Sequence, residues 1–400
     1  MQVSTFYTLF WILYFPLCIA FYDTISALQY SDEFLTLFLI LYTAVKIRNK
    51  GNRYIKKEIG VYISLMVFYV LYSLTMAVNV SDSVWLDLQQ QVRPYVVFYC
   101  TWLLKPQFTT RQKNLILGVM LLAFMFYVAA FKLMPSLVTP YEGTESAALG
   151  QLALICAMTY YCFKPQTKRN LYICIFIMAL GLIGGKSKFF GEMVVFVALF
   201  YFLKGRIKLG SFKTIMQFAV ITVVVLFFTW TKFSAYYVEG FADDAEKMAR
   251  PESYKTAMTI IFEDYIPFGS GLGTFATNAA AEYYSPLYYK YHLNYIWGLD
   301  PGNPMFLADA FYPALAEFGI VGILFFLIFW KRRLLAVMKL PDDKYYKVGL
   351  MCILALALES TADTSYLSGK GMGYFMLLAM CLGTVRNSRM YGRLGKINSK

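Results

Sequence analysis

Residues 214–230 read TIMQFAVITVVVLFFTW, an apolar run close to the roughly 17–25 residues that a helix needs to cross a bilayer. The chain contains about twelve such runs, some of them short, which predicts an all-α, polytopic membrane protein. Their predicted boundaries are 4–22, 34–47, 59–79, 92–104, 113–132, 147–163, 171–185, 189–203, 214–230, 307–330, 346–362 and 372–385. We expect residues 1–400 to form one membrane domain, with the polar stretch 231–303 as its single large loop.

The overall composition agrees with a membrane protein. Hydrophobic residues make up 59% of the chain and charged residues 15%, against roughly 45–50% and about 25% in an average soluble domain. The formal net charge of +13 does not indicate nucleic-acid binding, because no soluble domain carries a basic stripe. It fits the topology of the chain and attraction to anionic lipid headgroups.

The basic residues predict the orientation of the chain, because short cytoplasmic loops are enriched in Lys and Arg. With both termini in the cytoplasm, most of the 37 basic residues fall on that side, and only Glu58, Asp342 and Asp343 of the 24 acidic residues join them. The basic segments are 46–57, 105–113, 164–169, 204–213, 331–347 and 386–400. The loop 231–303 is therefore expected on the outer face, where ATP, NAD and sugar nucleotides are absent.

Disulfide, metal and cofactor chemistry have no support in the sequence. The seven cysteines lie in apolar runs, so we expect no disulfide in the loop. No Cys/His cluster has the spacing of metal ligands, and we expect neither a metal nor a cofactor. The cysteines are Cys18, Cys100, Cys156, Cys162, Cys174, Cys352 and Cys381.

Within the loop, Arg250 precedes a predicted amphipathic helix that Pro251 opens. Its apolar stripe is Tyr254, Ala257, Met258 and Ile261, and we expect this stripe to pack the loop against the bundle. The helix ends before Pro267 and the glycine run 269–273. Two interpretations of that run stay open: its backbone N–H groups approach a phosphate closely, or the run only turns the chain after the helix.

An aromatic segment follows, with Tyr283, Tyr284, Tyr288, Tyr289, Tyr291, Tyr295 and Trp297 around the single histidine, His292. Such aromatics suit stacking against sugars, and they also populate the interfacial belt of membrane proteins. His292 is either part of the site or incidental.

Ionisable residues at membrane depth are costly and usually functional. Lys188 and Glu192 share a helix face, so they either simply pair with each other or are placed for function. Asp309 and Glu317 lie eight residues apart, which on a continuous helix lets both edge one cavity. The remaining members of the set are Lys186, Glu359 and Asp363.

The segment from Asp309 to Gly322, DAFYPALAEFGIVG, resembles the signature after the large loop in the O-antigen polymerase and ligase superfamily. Arg250, the following helix and the residues IPFGSG at 266–271 are similar to that family's arginine, helix and P-x-G-x-G order. GGKSK at 184–188 stands where members carry Ser-Arg. The resemblance covers about half of the chain.

Two departures from the family pattern bear on the activity. Ala308 occupies the place of the ligase histidine, which favours the polymerase branch. Lys188 replaces the arginine of Ser-Arg, which keeps the charge but loses the bidentate geometry for phosphate.

The resemblance implies a polysaccharide polymerase of the bacterial inner membrane that joins oligosaccharide repeat units carried on undecaprenyl diphosphate. It assigns catalytic roles to Arg250, Asp309 and Lys188, with the cations on the diphosphate and Asp309 on the acceptor hydroxyl. We expect membrane lipid and a chain-length regulator as further partners. The expected substrate-binding residues are Lys186, Arg93, Glu317, Tyr254, His292 and Tyr312. Arg93 has an alternative role, snorkelling to the interface.

Two other functions remain open. An O-antigen ligase would use the same donor and transfer the glycan to lipid A core. A flippase or other transporter of lipid-linked oligosaccharide would not be an enzyme, and inverted repeats with paired broken helices would accompany it. A lateral opening to lipid beside Arg250 favours an enzyme, and a central cavity through both leaflets favours a flippase.

Overall fold

The computed structural model describes residues 1–22, 28, 30–47, 53–135, 138, 146–203, 205–207, 211–241 and 247–384. The predicted tail 386–400 lies outside these ranges, as do parts of the basic segments 46–57 and 204–213 and of the loop 231–303. Within the described ranges the chain is helical and contains no strand, so the predicted all-α class is confirmed.

Sixteen α-helices of the described part follow one another along the chain. They are α1 (Val3–Phe15), α2 (Ser31–Lys46), α3 (Arg53–Met76), α4 (Ser81–Leu104), α5 (Thr110–Leu133), α6 (Ala147–Phe163), α7 (Lys168–Gly181), α8 (Ser187–Val197), α9 (Phe212–Tyr237), α10 (Ala249–Thr259), α11 (Asn278–Glu282), α12 (Pro286–Lys290), α13 (Phe311–Ala314), α14 (Gly319–Met338), α15 (Asp343–Glu359) and α16 (Gly369–Gly383).

Three helical segments of the described part are long and apolar enough to cross a membrane: Val3–Ala20, Tyr54–Met76 and Thr110–Leu133. A fourth candidate is the pair Ala219–Phe227 and Thr229–Tyr237 within α9, which is bent by 75°. The structure therefore does not confirm a count of twelve spans. Helices such as α8, with 11 residues, and α16, with 15, are shorter than a membrane span requires.

The main core surrounds α16. Residues on every side of this helix are buried, among them Tyr374, Phe375, Met376 and Leu377, as expected for a helix that is apolar all round. They join one large cluster with buried residues of α1, α4, α5, α6 and α15. This enclosed position explains how a 15-residue helix is stable here.

Contacts link three of the segments that are predicted to be cytoplasmic. Arg333 of α14 donates to both carboxylate oxygens of Glu58 in α3, at 2.9 and 2.7 Å. Tyr346 of α15 accepts from the backbone N–H of Ile207, and Arg206 donates to the carbonyl of Pro341 at 2.9 Å. These contacts bring three of the basic segments close to one another.

The loop packs against the rest of the chain and has a small core of its own. Ala257 and Ile261 are buried as expected, together with Ile260, Phe275 and Leu287. A second cluster joins Leu272 to Tyr69 and Val70 of α3, Val84 of α4 and Phe318. The loop is therefore attached to α3, α4 and the start of α14.

The predicted apolar stripe of α10 is wrong at one position. Met258 is 56% exposed, and the buried face includes Ser253 and Thr256 instead. The hydroxyl of Ser253 donates to the carbonyl of Ala249, so this side chain is buried without losing its hydrogen bond. Tyr254 is half-buried because its hydroxyl reaches a turn after α15.

Candidate functional site

Arg250 and Asp309 form an ion pair at the centre of the candidate site. Arg250 lies in the first turn of α10, and Asp309 lies just before α13. Nε of Arg250 donates to Oδ2 of Asp309 at 2.6 Å, with 17% and 20% of the two side chains exposed. The structure thus brings together two of the residues that the sequence assigned to catalysis, although 59 positions separate them.

The ring of Tyr236 holds the guanidinium from another side, with its centroid 4.5 Å from Cζ of Arg250. Burial by itself would lower the pKa of Arg250, but the hydrogen bond and charge of Asp309 outweigh it and raise the pKa. The side chain therefore stays charged. Among the described residues, neither terminal nitrogen of Arg250 has a hydrogen-bond partner, so the guanidinium presents two donors to an incoming anion.

The turn after α15 braces the helices around this ion pair. The carbonyl of Thr361 accepts from the hydroxyls of Tyr237 at 2.8 Å and Tyr254 at 3.0 Å. The carbonyl of Ser360 accepts from the backbone N–H of Tyr312 at 3.3 Å. The hydroxyl of Tyr312 donates to the carbonyl of Ala357 at 2.9 Å. Two predicted substrate-binding residues, Tyr254 and Tyr312, are thus held beside Arg250 and Asp309 by one turn.

Lys188 contacts the same turn but is neutralised by other carboxylates. Its ammonium donates to Glu359 at 2.5 Å and to Asp363 at 2.6 Å. Burial by itself would raise the pKa of Asp363, but Lys188 and Lys370 lower it to about 2. Two carboxylates around one ammonium leave no positive excess for a diphosphate, so this geometry does not support Lys188 as a phosphate ligand.

Lys188 does not pair with Glu192 in the structure; it bonds Glu359 and Asp363 instead. Glu192 is fully buried, and within the described part of the chain neither of its carboxylate oxygens has a hydrogen-bond partner. The reason is that the turn after α15 approaches Lys188 more closely than its own helix neighbour does. The expectation that Lys188 and Arg250 share one cavity stays a prediction.

The glycine run after α10 is a structural connection, because its N–H groups all bond within the protein. Gly269, Ser270 and Gly271 donate to the carbonyls of Tyr265, Ala316 and Glu317, as backbone groups do in a tight crossing. Leu272 donates to Ser73, Gly273 to Asp87, and Thr274 and Phe275 to the side chain of Glu317. The structure therefore fits the interpretation of this segment as a turn of the chain, and it does not fit the interpretation as a phosphate-binding segment.

Glu317 holds this connection and does not edge a cavity with Asp309. It is fully buried, and Oε1 accepts from the N–H of Thr274 at 2.7 Å, the N–H of Phe275 at 2.9 Å and the hydroxyl of Thr277 at 3.1 Å. The predicted alignment of Asp309 and Glu317 along one helix is wrong, because the chain is not one helix from Asp309 onward. It has a φ of +56° at Gly319, the residue at which α14 begins.

Arg93 was also misplaced by sequence reasoning. It is buried in α4 and pairs with Asp32 and Glu33 at the start of α2, while Nη1 also approaches the carbonyl of Leu367 at 3.5 Å. It neither snorkels to an interface nor joins Arg250 through a contact between described residues. Acidic residues in the first turn of a helix are stabilised by the helix dipole, so Asp32 and Glu33 did not by themselves identify Arg93 as their partner.

The remaining predicted residues lie at the periphery. His292 is exposed, and its backbone adopts the left-handed conformation with a φ of 57°. Its side chain forms no hydrogen bond with any of the described residues. Lys186 is half-buried and immediately precedes α8. In the aromatic segment Tyr288 is buried and bonds the N–H of Ala276, whereas Tyr295 and Trp297 are 82% and 67% exposed.

Sequence reasoning missed Asp87, which is fully buried and accepts from Gly273 and Gln91. It lay in a polar stretch before the predicted span 92–104, so no pattern drew attention to it. No protein-family model and no curated protein matches this chain.

Proposed function

We propose that the chain is a membrane glycosyltransferase of the polymerase type, which joins oligosaccharide repeat units carried on undecaprenyl diphosphate at the outer face of the bacterial inner membrane. The proposal rests on the geometry of Arg250. Its guanidinium is oriented by Asp309 and Tyr236, and among the described residues no group occupies its two terminal nitrogens, which can then bind a diphosphate leaving group.

In the proposed reaction, the oxygen of an acceptor sugar hydroxyl attacks the anomeric carbon of the donor glycan. The bond from that carbon to the diphosphate oxygen breaks, and its electron pair leaves with undecaprenyl diphosphate. Arg250 stabilises the charge that develops on the diphosphate. The hydroxyl proton passes to the oxygen of Asp309 that accepts no hydrogen bond from the described residues.

The neighbouring contacts support pre-organisation of this site. Tyr237 at the end of α9 and Tyr254 of α10 both bond the carbonyl of Thr361, and Tyr312 fixes the segment after Asp309 to Ala357. The two halves of the ion pair therefore have one common support. Holding reacting groups in line in this way accounts for much of the rate enhancement in transfer reactions.

The decisive experiment replaces Arg250 and measures both polymer length and membrane abundance in the same cells. We expect Arg250→Ala to abolish polymer at normal abundance and Arg250→Lys to retain at most partial activity, because an ammonium lacks the bidentate fork. By analogy with oxyanion-hole donors, the loss is on the order of 3–4 kcal/mol, roughly a hundredfold or more in rate.

Lys255→Ala is the matched control, since Lys255 is a second cation on the same helix and pairs with Glu252 of that helix at 2.9 Å. Normal polymer from Arg250→Ala at normal abundance would falsify the assignment. Reduced abundance with normal activity per molecule would mean that Arg250 only braces the loop. Deletion of the gene then separates the reactions, because a polymerase mutant keeps single-repeat glycan on its surface and a ligase mutant loses it.

A further inference from the structure

A groove of about 400 Å³ runs along one side of α3, between this helix, α4 and α14. Its wall is apolar over most of its length, with Leu65, Met66, Phe325, Phe326 and Phe329 among the lining residues. Only 22% of an 18-residue stretch within Tyr54–Met76 of α3 is buried, so much of this helix surface is open. The volume falls within the roughly 300–1,000 Å³ that is typical of ligand sites.

One end of this groove is charged. Lys57, Glu58, Arg332 and Arg333 all line it there. Glu58 accepts two hydrogen bonds from Arg333, one from Arg332 at 3.3 Å and one from Tyr54 at 2.6 Å. Three cations face one carboxylate, so the end of the groove has a net charge of +2.

The guanidinium groups at this end are incompletely satisfied. Arg333 is 98% buried, its exposed fraction being 2%, and Nε and Nη1 have no hydrogen-bond partner in the described part of the chain. The rings of Phe98, Trp102 and Phe329 surround its Cζ at 4.7–5.3 Å. Arg332, in contrast, is 54% exposed at the mouth.

We infer that this groove binds an anionic phospholipid, with its phosphate on Arg332 and Lys57 and an acyl chain along α3 and α14. Neither Arg250 nor Asp309 lines this groove, and lipid binding there requires the membrane placement of the chain but not glycosyl transfer. Charge complementarity selects the occupant: the net positive end meets an anionic headgroup, while the aromatic and aliphatic wall meets a hydrocarbon chain. A zwitterionic lipid has no comparable attraction.

The test uses the purified full-length protein in detergent and counts bound lipid by native mass spectrometry. The probes are dioleoylphosphatidylglycerol, dioleoylphosphatidylcholine, undecaprenyl phosphate and the soluble headgroup glycerol 3-phosphate. We expect preferential binding of the phosphatidylglycerol. Each cation removed costs about fivefold in affinity, so the double variant Lys57→Gln/Arg332→Gln should bind it about 25-fold more weakly.

The matched control is Lys56→Gln/Lys331→Gln, which removes the same charge from the neighbouring positions of α3 and α14. Both lysines are exposed and neither lines the groove, so affinity should not change. Val61→Trp fills the groove at a lining residue that is 47% exposed, and it should also weaken binding while leaving the charged end intact.

Several results would overturn the inference: equal loss in both double variants, unchanged binding to Val61→Trp, equal binding of the phosphatidylcholine, stronger binding of undecaprenyl phosphate, or competition by glycerol 3-phosphate as strong as by the lipid. The assay needs no polymer synthesis. A negative result here is therefore distinguishable from failure of the proposed function, which the Arg250 variants test.

Discussion

Removal of the Glu317 carboxylate should release the glycine run that connects α10 to the rest of the loop. In Glu317→Ala, the N–H groups of Thr274 and Phe275 and the hydroxyl of Thr277 lose a buried acceptor. Each unsatisfied buried donor costs about 1–3 kcal/mol. The three together therefore destabilise this segment by about 3 kcal/mol or more, before any cost of the cavity is added.

Hydrogen exchange measured by mass spectrometry on the purified protein tests this reasoning directly. A loss of about 3 kcal/mol in local opening free energy corresponds to exchange roughly a hundredfold faster at residues 272–276. Glu317→Gln keeps a carbonyl oxygen as acceptor and should lose far less protection. Glu263→Ala removes an exposed carboxylate from the same loop and should change nothing.

Equal protection of Thr274 and Phe275 in Glu317→Ala and in the wild type would refute the assignment of Glu317 as an anchor. The same would hold if Glu317→Gln and Glu317→Ala opened equally, because the argument depends on a retained acceptor. Faster exchange throughout the chain in Glu317→Ala, with Glu317→Gln normal, would instead show that the anchor supports the whole fold.

Three further outcomes are expected. Gly319→Ala should strongly reduce membrane abundance, since a Cβ there meets the backbone of the glycine run at 2.3 Å and φ is +56°, whereas Gly118→Ala, with open space around it, should be neutral or stabilising when abundance is compared. Lys188→Met should lower the free energy of unfolding by about 3–5 kcal/mol, because it leaves its carboxylate partners unpaired. Neutralising the buried partner, Glu359, should restore part of this loss. An unchanged free energy of unfolding in the single variant would contradict the prediction. Lys290 lowers the pKa of Asp264 below its ordinary value of 3.8. The contribution of this ion pair to the stability of the loop is therefore fully present above pH 3.8 and is lost as the pH falls through the lowered pKa. Protease protection of the loop should follow that change in the wild type and not in an Asp264→Asn variant.

Local patterns in the sequence were enough to predict the helical class and the main breaks in the loop. α10 begins at Ala249, two residues before the predicted start at Pro251, and the π-helical turn that follows it, Ile260–Asp264, ends before Pro267 and the glycine run as expected. This succeeded because helix formation and termination depend on residues within one or two turns. Arg250 and Asp309 were singled out in the sequence through a resemblance and not through spacing, and the structure pairs their side chains.

The partners of the charged side chains depend on contacts between distant parts of the chain. Arg93 meets Asp32 across 61 positions, and Lys188 meets Glu359 across 171. A carboxylate near a cation in sequence, such as Glu192, is then not the one that neutralises it. Which buried charges pair is decided by the packing of helices, because a charge that leaves water must find a partner wherever the fold brings one within reach. Helix periodicity carries no information about those distances, so the helical class was predictable and the charge pairs were not.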